Sequence, residues 1–187
     1  MSGAVPPWAF ENAEVHAHDP RWAGRAEIEC ARLIELLAPW LVDGVEHVGS
    51  TAVPGLAAKP IIDLMASVND PDAVVDQASQ RLALSGWCHV PPELDGRRWR
   101  RFFVKPDASG QRRMAHLHVI TCGHVRWAQQ IAFRDALRRD DQLARGYEDL
   151  KRRLAERHGH DREAYTDAKA EFIGQAPALR QLWPSAG

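Results

Sequence analysis

Apolar residues recur every three or four positions along two stretches in the first half of the chain. In Arg21–Leu37 this spacing predicts an amphipathic helix. A second helix is predicted to begin at the Asp70-Pro71 cap and to run to about Ser85, where Gly86 ends it. Each helix has one apolar side, so we expect both to pack against a common core.

Extended segments separate these helices. Residues 45–48 form a short predicted strand that ends at a turn beginning with Gly49. Residues 60–68 are rich in β-forming residues and apolar on both faces, which is typical of a buried central strand. Asp63 is the one charged residue of this segment. Because a buried charge is costly unless it is paired or binds a metal, Asp63 is the first candidate functional residue.

The second half of the chain begins with a predicted hairpin and continues as helices. Residues 99–105 and 114–121 alternate between apolar and polar positions, and the turn-forming residues 106–110 join them. Helices are predicted at 125–138, 140–157 and 162–174, with a short final turn at 178–183. The pattern predicts an α+β fold: an N-terminal extension at 1–20, a mixed β-sheet flanked by helices, and a helical C-terminal part at 125–174.

Composition narrows the class of protein. The chain has 187 residues, of which 45% are hydrophobic and 26% charged, which predicts one globular domain over residues 1–187. No apolar run reaches the roughly 18 residues that span a bilayer, and the N-terminus lacks the pattern of a secretion signal. Cys30, Cys88 and Cys122 are far apart, which is typical of reduced thiols. We therefore expect a cytoplasmic protein without a membrane partner.

The net charge of −1 conceals an asymmetry between the two halves. Residues 1–96 carry 5 Lys and Arg against 14 Asp and Glu, whereas residues 97–187 carry 19 against 11. Seven of these cations lie within 97–113, beside one acid, Asp107. Such a basic stretch favours an anionic partner. The alternative is that the two halves neutralise each other across an internal interface and the remaining arginines are solvated.

The turn after the first strand has the residue types of a phosphate site. Gly49 lets backbone N–H groups approach an anion, Ser50 and Thr51 supply hydroxyl donors, and Lys59 supplies a cation. The second strand then brings Asp63, a candidate metal ligand. The alternative is a tight turn followed by an aspartate that is ion-paired with one of the arginines.

The segment 47–63, HVGSTAVPGLAAKPIID, resembles the signature of the GrpB family. The resemblance continues downstream, at 114–119, 133–138, 147–151 and 165–173, and so covers about 20–173. GrpB proteins are small proteins usually assigned to the nucleotidyltransferase superfamily, which has the DNA polymerase β-like fold. The resemblance thus implies a nucleotidyltransferase-like sheet and binding of a nucleoside triphosphate.

The resemblance also implies roles for particular residues. Gly49 and Ser50 would grip the triphosphate, and Asp63 would be a catalytic carboxylate that holds a divalent metal, Mg²⁺ or Mn²⁺. The superfamily pattern has a second acid two residues later, on the same face of the strand. Met65 stands there instead. Because a thioether is a poor ligand for a hard cation, the usual two-carboxylate clamp is incomplete.

Histidines offer a different metal site. His116 and His118 share one face of their predicted strand, and His47, which precedes the glycine turn, is a further candidate ligand. Two imidazoles with the carboxylate of Asp63 suit Mn²⁺, Fe²⁺ or Zn²⁺ better than Mg²⁺. The alternative is that one histidine is a hydrogen-bonded core residue and the other faces solvent.

The basic residues of the second half offer possible phosphate contacts. Arg98 and Arg100 share one face of the predicted strand 99–105 and its approach, and Arg97 and Arg101 share the other. One of these two pairs could reach the cleft. Arg134, Lys151 and Lys169 lie on helices that pack beside the sheet in the resembling family, and arginine binds phosphate bidentately. The alternative is that each is part of a solvated helix face.

Three functions remain open. The first is a metal-dependent nucleotidyltransferase that acts from a nucleoside triphosphate on a small-molecule acceptor. A small acceptor is favoured over nucleic acid because the chain has no separate basic module. The second is a nucleotide- or protein-binding module without turnover, marked by Met65. The third is an enzyme that uses Asp63, His116 and His118 with a transition metal. No oligomeric state follows from the sequence.

Overall fold

The computed structural model describes residues 6–11 and 14–158. Its helices and strands follow one another along the chain with short connections. They are α1 (Arg21–Leu37), β1 (Leu41–Val48), β2 (Ile62–Val68), α2 (Pro71–Leu84), β3 (Cys88–Val90), α3 (Pro92–Asp95), β4 (Arg101–Pro106), β5 (Arg113–Thr121), α4 (Val125–Arg139) and α5 (Asp141–His158). Short 3₁₀ turns lie at Pro7–Phe10 and Ser50–Ala52. This is the α+β fold that the pattern predicts.

Local signals at the helix ends explain why these helices begin and end where they do. The helix α1 has the predicted bounds. Before α2, the side chain of Asp70 accepts hydrogen bonds from the N–H groups of Asp72 and Ala73, at 2.9 and 3.1 Å. Pro71 occupies the first helical position, where a missing N–H costs nothing. Capping of this kind stabilises a helix by about 0.5–2 kcal/mol, so the start of α2 is well determined by its sequence.

The five strands form one mixed sheet in the order β1-β2-β5-β4-β3. The central strands β2 and β5 are parallel, and the other neighbours are antiparallel. The parallel register places Asp63 beside His116 and Met65 beside His118. Residues that pair across strands share a face of the sheet. Residues far apart in sequence are thereby brought together at the middle of the sheet.

The two faces of the sheet differ in chemistry. One face is apolar and packs against α1 and α2, with Leu64, Phe103 and Leu117 fully buried against Trp22 and Leu82. The opposite face carries Asp63, His116 and His118 between two smaller apolar clusters. One cluster contains Met65 and Ile120 with Trp127 of α4, and the other contains Trp8 with Phe102 and Val104. The polar face is therefore flanked by apolar packing at both ends.

The predicted hairpin is present as β4 and β5, but β4 begins later than predicted. Residues 98 and 99 form a turn, and the strand starts at Arg101. The short helix α3 precedes this turn and is capped by Gly96 with φ 67°, and the pairing of β4 with β5 begins at Arg101. Placing Arg98 and Arg100 on one face of a strand was therefore wrong, because neither residue lies in a strand.

The remaining segments differ from the predictions in minor ways. The edge strand β3 and the helix α3 were not predicted, since they have only three and four residues. The helix predicted at 162–174, the turn at 178–183 and Lys169 lie outside the described residues. Within the described ranges, no helix has the length and apolar character needed to cross a membrane.

Candidate metal site

Asp63, His116 and His118 lie together on the polar face of the sheet. The His116 Nδ1 atom is 2.9 Å from Asp63 Oδ1, and the His118 Nε2 atom is 3.7 Å from the same oxygen. One ligand atom from each residue lies within 4.8 Å of the others. This closeness follows from the parallel pairing of β2 with β5 and from the two-residue spacing of the histidines. The sequence-predicted trio is thus brought together.

The arrangement fits a divalent metal ion in its donor types and distances. Tetrahedral Zn²⁺ with bonds of about 2.0–2.1 Å separates its ligand atoms by about 3.3 Å. The two distances at Asp63 Oδ1, 2.9 and 3.7 Å, lie on either side of that value. One carboxylate with two imidazoles is a set that Zn²⁺, Fe²⁺ and Mn²⁺ accept more readily than Mg²⁺. Asp63, His116 and His118 are therefore the residues that would hold such an ion.

Gly49 lies directly over the carboxylate of Asp63. An ideal Cβ built on Gly49 would lie 2.7 Å from Asp63 Oδ2, closer than any side chain tolerates. The residue also has φ 73° and ψ −171°, a conformation that essentially only glycine adopts. The glycine turn is therefore adjacent to the candidate metal site, as the phosphate-site hypothesis requires. Ser50 follows it, half-buried, at the start of the 3₁₀ turn.

The electrostatics of the site favour the forms that bind a metal. Burial raises the pKa of Asp63, but the hydrogen bonds and charges of His116 and His118 outweigh it and lower this pKa below its ordinary value. Burial and the neighbouring Arg100 guanidinium lower the pKa of His118 to about 4. Asp63 is therefore ionised and His118 neutral near pH 7, and a neutral imidazole binds a metal only through the nitrogen that carries no proton.

Met65 stands where the expected nucleotidyltransferase pattern would have a second carboxylate. Its side chain is buried with Val48 and Ile120, and Trp99 and Trp127 pack against this cluster. An aspartate placed there would lose much of its hydration among these apolar side chains, which is costly even with His118 as its cross-strand neighbour. The fold around Met65 is thus built for an apolar residue, and the two-carboxylate clamp for paired Mg²⁺ ions is not present at these positions.

The structure does not bring His47 into the trio. His47 pairs with Leu64 and so points to the opposite face of the sheet from Asp63. Its Nε2 atom is 3.0 Å from the hydroxyl of Thr51, and that hydroxyl donates to the carbonyl of Ile61 at 3.2 Å. Burial lowers the pKa of His47 to about 4. His47 and Thr51 therefore connect the glycine turn to the entry of β2.

Two helical cations predicted to bind phosphate contact the protein backbone instead. Arg134 donates from Nη1 to Glu46 Oε2 at 2.6 Å and to the carbonyl of His47 at 2.9 Å. Lys151 is 3% exposed and donates from Nζ to the carbonyl of Ala57. Buried cations that already donate to a carboxylate or to carbonyl groups are poorly placed to receive a phosphate. The structure therefore favours a structural role for both side chains. This role differs from the predicted phosphate contact and also from the alternative of a solvated helix face.

These contacts hold the chain segment that follows the glycine turn. Besides Lys151, the helix α5 supplies Glu148, whose Oε2 accepts from the N–H of Ala57 at 3.0 Å. From α4, Arg138 Nε donates to the carbonyl of Ala52 at 2.9 Å. Helical side chains thus fix the backbone at Ala52 and Ala57. The signal for this role was the positive charge, but the backbone partners were not evident from the sequence.

The remaining basic residues predicted to bind phosphate, Arg98, Lys59 and Arg100, differ in their exposure and in their partners. Arg98 is exposed in the turn before β4, and Lys59 is half-buried in the segment that enters β2. Arg100 is 9% exposed at its side chain and forms an ion pair with Asp95, 2.5 Å from Nη2 to Oδ1. Its Nη1 atom contacts Nδ1 of His118. Sequence reasoning missed Asp95, because nothing in the sequence distinguishes this acid at the end of α3 as a partner of Arg100.

A mixed five-stranded sheet with this Asp-His-His group beside a glycine turn defines an α+β protein with a candidate metal site. The sequence matches the GrpB protein family over residues 12–178, and the chain belongs to that family. The described fold and the resemblance of 47–63 to the GrpB signature therefore agree.

Individual relatives support the same family. UPF0157 protein PA4798 of Pseudomonas aeruginosa is 38% identical, over 94% of this chain and 74% of that protein. UPF0157 protein YqkA of Bacillus subtilis is 31% identical over 91% of this chain, which spans only 48% of that relative. The crystal structure of conserved protein GrpB from Enterococcus faecalis is similar with a TM-score of 0.76 and 30% identity, over 91% of this chain and 99% of that one.

Proposed function

We propose that this protein is a metal-dependent nucleotidyltransferase that binds a transition-metal ion through Asp63, His116 and His118. The observation that carries the proposal is the convergence of three ligand atoms within 4.8 Å on one face of the sheet. The donor of the nucleotidyl group is a nucleoside triphosphate whose phosphates lie at Gly49 and Ser50. When bound, a divalent ion would neutralise phosphate charge and activate an attacking hydroxyl group.

The chain's own residues contribute in distinct ways. Asp63 remains ionised and supplies negative charge at the centre of the site, because His116 and His118 stabilise its anionic form. Gly49 presents bare backbone next to that carboxylate, since no side chain fits there. In the proposed site, the backbone N–H groups of the turn and the hydroxyl of Ser50 donate to phosphate oxygens.

A small molecule is the proposed acceptor. Recognition of nucleic acid rests on many lysine and arginine contacts to phosphates along an extended surface. Within the described residues, Arg134, Arg138 and Lys151 instead donate to acids or backbone carbonyls of the fold. Arg101 is paired with Asp72 at 2.5 Å. These four cations of the described residues thus pair within the protein itself.

A second candidate is a protein that binds metal and nucleotide at the same residues without turnover. The observation that favours it is the apolar burial of Met65, 1% exposed, where the superfamily pattern has a metal-binding acid. With one carboxylate in place of two, the set of oxygen ligands that holds a pair of ions is incomplete. Binding without nucleotidyl transfer would distinguish this candidate from the first.

Thermal unfolding with added ligands tests the proposal. The protein is heated with Zn²⁺, Mn²⁺ or Mg²⁺, with and without each nucleoside triphosphate. A ligand at 100 times its Kd adds about 2.7 kcal/mol, which corresponds to a Tm increase of about 5–11 °C at this chain length. We expect the increase with Zn²⁺ or Mn²⁺, a further increase with nucleotide, and loss of both in Asp63→Asn.

The matched control is Asp76→Asn, which removes an exposed carboxylate on α2. This variant should keep the full response to metal and nucleotide. Release of pyrophosphate in the presence of candidate acceptors then separates transfer from binding alone. An unchanged Tm with every metal and nucleotide, or an equal response in Asp63→Asn, would refute the proposed site.

A further inference from the structure

The guanidinium group of Arg100 is held in one orientation by Asp95. Its Nε and Nη2 atoms donate to the two carboxylate oxygens of Asp95, at 2.9 and 2.5 Å. Both side chains are nearly buried, with exposed fractions of 9% and 6%. The guanidinium carbon also lies 4.0 Å from the centre of the Phe102 ring and 5.2 Å from that of Trp99. A bidentate pair packed between aromatic rings fixes where the remaining nitrogen points.

That remaining nitrogen, Nη1 of Arg100, contacts Nδ1 of His118. Arginine has donors and no acceptor, so the imidazole nitrogen must accept this hydrogen bond. A neutral imidazole carries one proton, and with Nδ1 as the acceptor this proton lies on Nε2. The Nε2–H group then faces Asp63 Oδ1 at 3.7 Å. His118 in this state is a hydrogen-bond donor toward Asp63.

A metal needs the lone pair of the nitrogen that it binds. The nitrogen of His118 that lies near Asp63 and His116 is Nε2, which carries the proton in the arrangement imposed by Arg100. The other tautomer would free Nε2 but would direct an N–H group from Nδ1 at the Arg100 guanidinium, which cannot accept it. Arginine at Nδ1 and metal at Nε2 therefore exclude each other while the imidazole is neutral.

We propose that Arg100, oriented by Asp95, is a positioning residue that holds His118 in the tautomer unable to bind metal. This inference rests on the proposed metal site. Entry of an ion at Asp63 and His116 recruits His118 only when Arg100 moves away from Nδ1. The contact thereby weakens metal binding and makes Arg100 a determinant of metal affinity. In metal sites, the ring nitrogen of a histidine that does not bind the metal usually donates its N–H to an acceptor, whereas Arg100 can only donate.

The first test reads the tautomer without metal. Long-range ¹H–¹⁵N correlation spectra of the labelled protein at pH 7 distinguish protonated from unprotonated imidazole nitrogens. The His118 signals are assigned by their loss in His118→Gln. We expect Nδ1 to be unprotonated and Nε2 protonated in the wild type. A wild-type His118 with its proton on Nδ1 would overturn the inference.

The second test measures Zn²⁺ affinity by calorimetry in the full chain. Arg100→Met removes the donors but keeps an apolar stem, and we expect it to bind Zn²⁺ at least tenfold more tightly than the wild type. The control Arg98→Met changes the exposed neighbouring arginine and should bind within twofold of the wild type. Arg100→Met leaves the Asp95 carboxylate buried without its partner. The double variant Arg100→Met/Asp95→Asn removes both charges and is therefore tested in parallel.

The outcomes separate this inference from the proposed function. Zn²⁺ binding of equal or lower affinity in both Arg100 variants would overturn the role of Arg100 while leaving the metal site intact. Failure of the wild type and of all variants to bind Zn²⁺ would overturn the metal site and, with it, the role of Arg100. Tighter binding in the variants, together with the expected wild-type tautomer, supports both.

Discussion

Replacement of Gly49 by alanine adds one atom, the Cβ, which affects both the backbone conformation and the candidate site. The φ and ψ of Gly49, 73° and −171°, lie in a region that costs any other residue about 1–3 kcal/mol. The new Cβ would also lie 2.7 Å from Oδ2 and 3.1 Å from Cβ of Asp63. Asp63 lies in a central strand with a neighbouring strand on each side, so its backbone cannot move away easily. The clash therefore adds a destabilisation like that of an overpacked core, about 1–3 kcal/mol.

The matched control for this substitution is Gly55→Ala. Gly55 has a similar φ of 79°, but nothing lies within 4 Å of its ideal Cβ. We expect Gly49→Ala to lower the free energy of unfolding by about 2–6 kcal/mol and Gly55→Ala by about 1–2 kcal/mol. Urea unfolding followed by tryptophan fluorescence measures both, since the chain has seven tryptophans.

A double variant isolates the contact between Gly49 and Asp63. Asp63→Ala removes the carboxylate oxygen that the new methyl group would meet. The combination Gly49→Ala/Asp63→Ala should therefore be less destabilised than the sum of the single variants, by about 0.5–3 kcal/mol. Equal losses in Gly49→Ala and Gly55→Ala, with additive effects in the double variant, would refute the close approach of the glycine turn to the carboxylate.

Three further predictions concern the loop contacts and the thiols. Lys151→Met should lower the free energy of unfolding by about 1–3 kcal/mol in urea, because the buried carbonyl of Ala57 loses its donor, whereas exposed Arg153→Met should change it by less than about 0.5 kcal/mol. Burial raises the pKa of Glu148, but the N–H of Ala57 and the Arg152 guanidinium outweigh it and hold this pKa below 4.5. That stabilisation is present above the unfolded-state pKa and is lost as the pH falls through the folded-state pKa. Below pH 4.5 the free energy of unfolding of the wild type should therefore fall more steeply with pH than that of Glu148→Gln. Parallel pH profiles of the two proteins would contradict this. Burial and the carboxylates of Glu46 and Glu29 raise the pKa of Cys30 to about 11, so at pH 8 a disulfide reagent should modify exposed Cys88 and Cys122 quickly and Cys30 slowly; three equal rates would contradict it.

Much of the fold was predictable because its signals are local. The spacing of apolar residues in α1 and the Asp70-Pro71 cap of α2 act within a few residues, and both predictions are confirmed. The β4–β5 hairpin follows from its turn-forming residues, and Asp107 indeed accepts from the N–H groups of Gln111 and Arg112. The start of β4 was not predictable, because it depends on α3, a helix of four residues.

The site was predictable in its residues but not in its connections. The isolated charge of Asp63 and the alternate spacing of His116 and His118 are visible in the sequence. Their meeting depends on a parallel pairing across 53 residues of chain, which no local pattern specifies. The helical cations show more clearly that the partner of a side chain cannot be predicted from local sequence. A positive charge on a helix predicts an anionic partner, yet Lys151 donates to the backbone at Ala57, 94 residues away.

The choice between one metal ion and two follows from the neighbours of Met65. A second ion would need a further hard oxygen ligand on the same face as Asp63, but Met65 lies within a buried apolar cluster. His116 and His118 supply nitrogen instead, which shifts the preference from Mg²⁺ toward softer divalent ions. A Met65→Asp substitution would therefore place a charge in that apolar cluster, with His118 as its cross-strand neighbour. The proposed site is therefore one for a single ion held by one carboxylate and two imidazoles, and the proposed role of Arg100 is to oppose binding by the second imidazole.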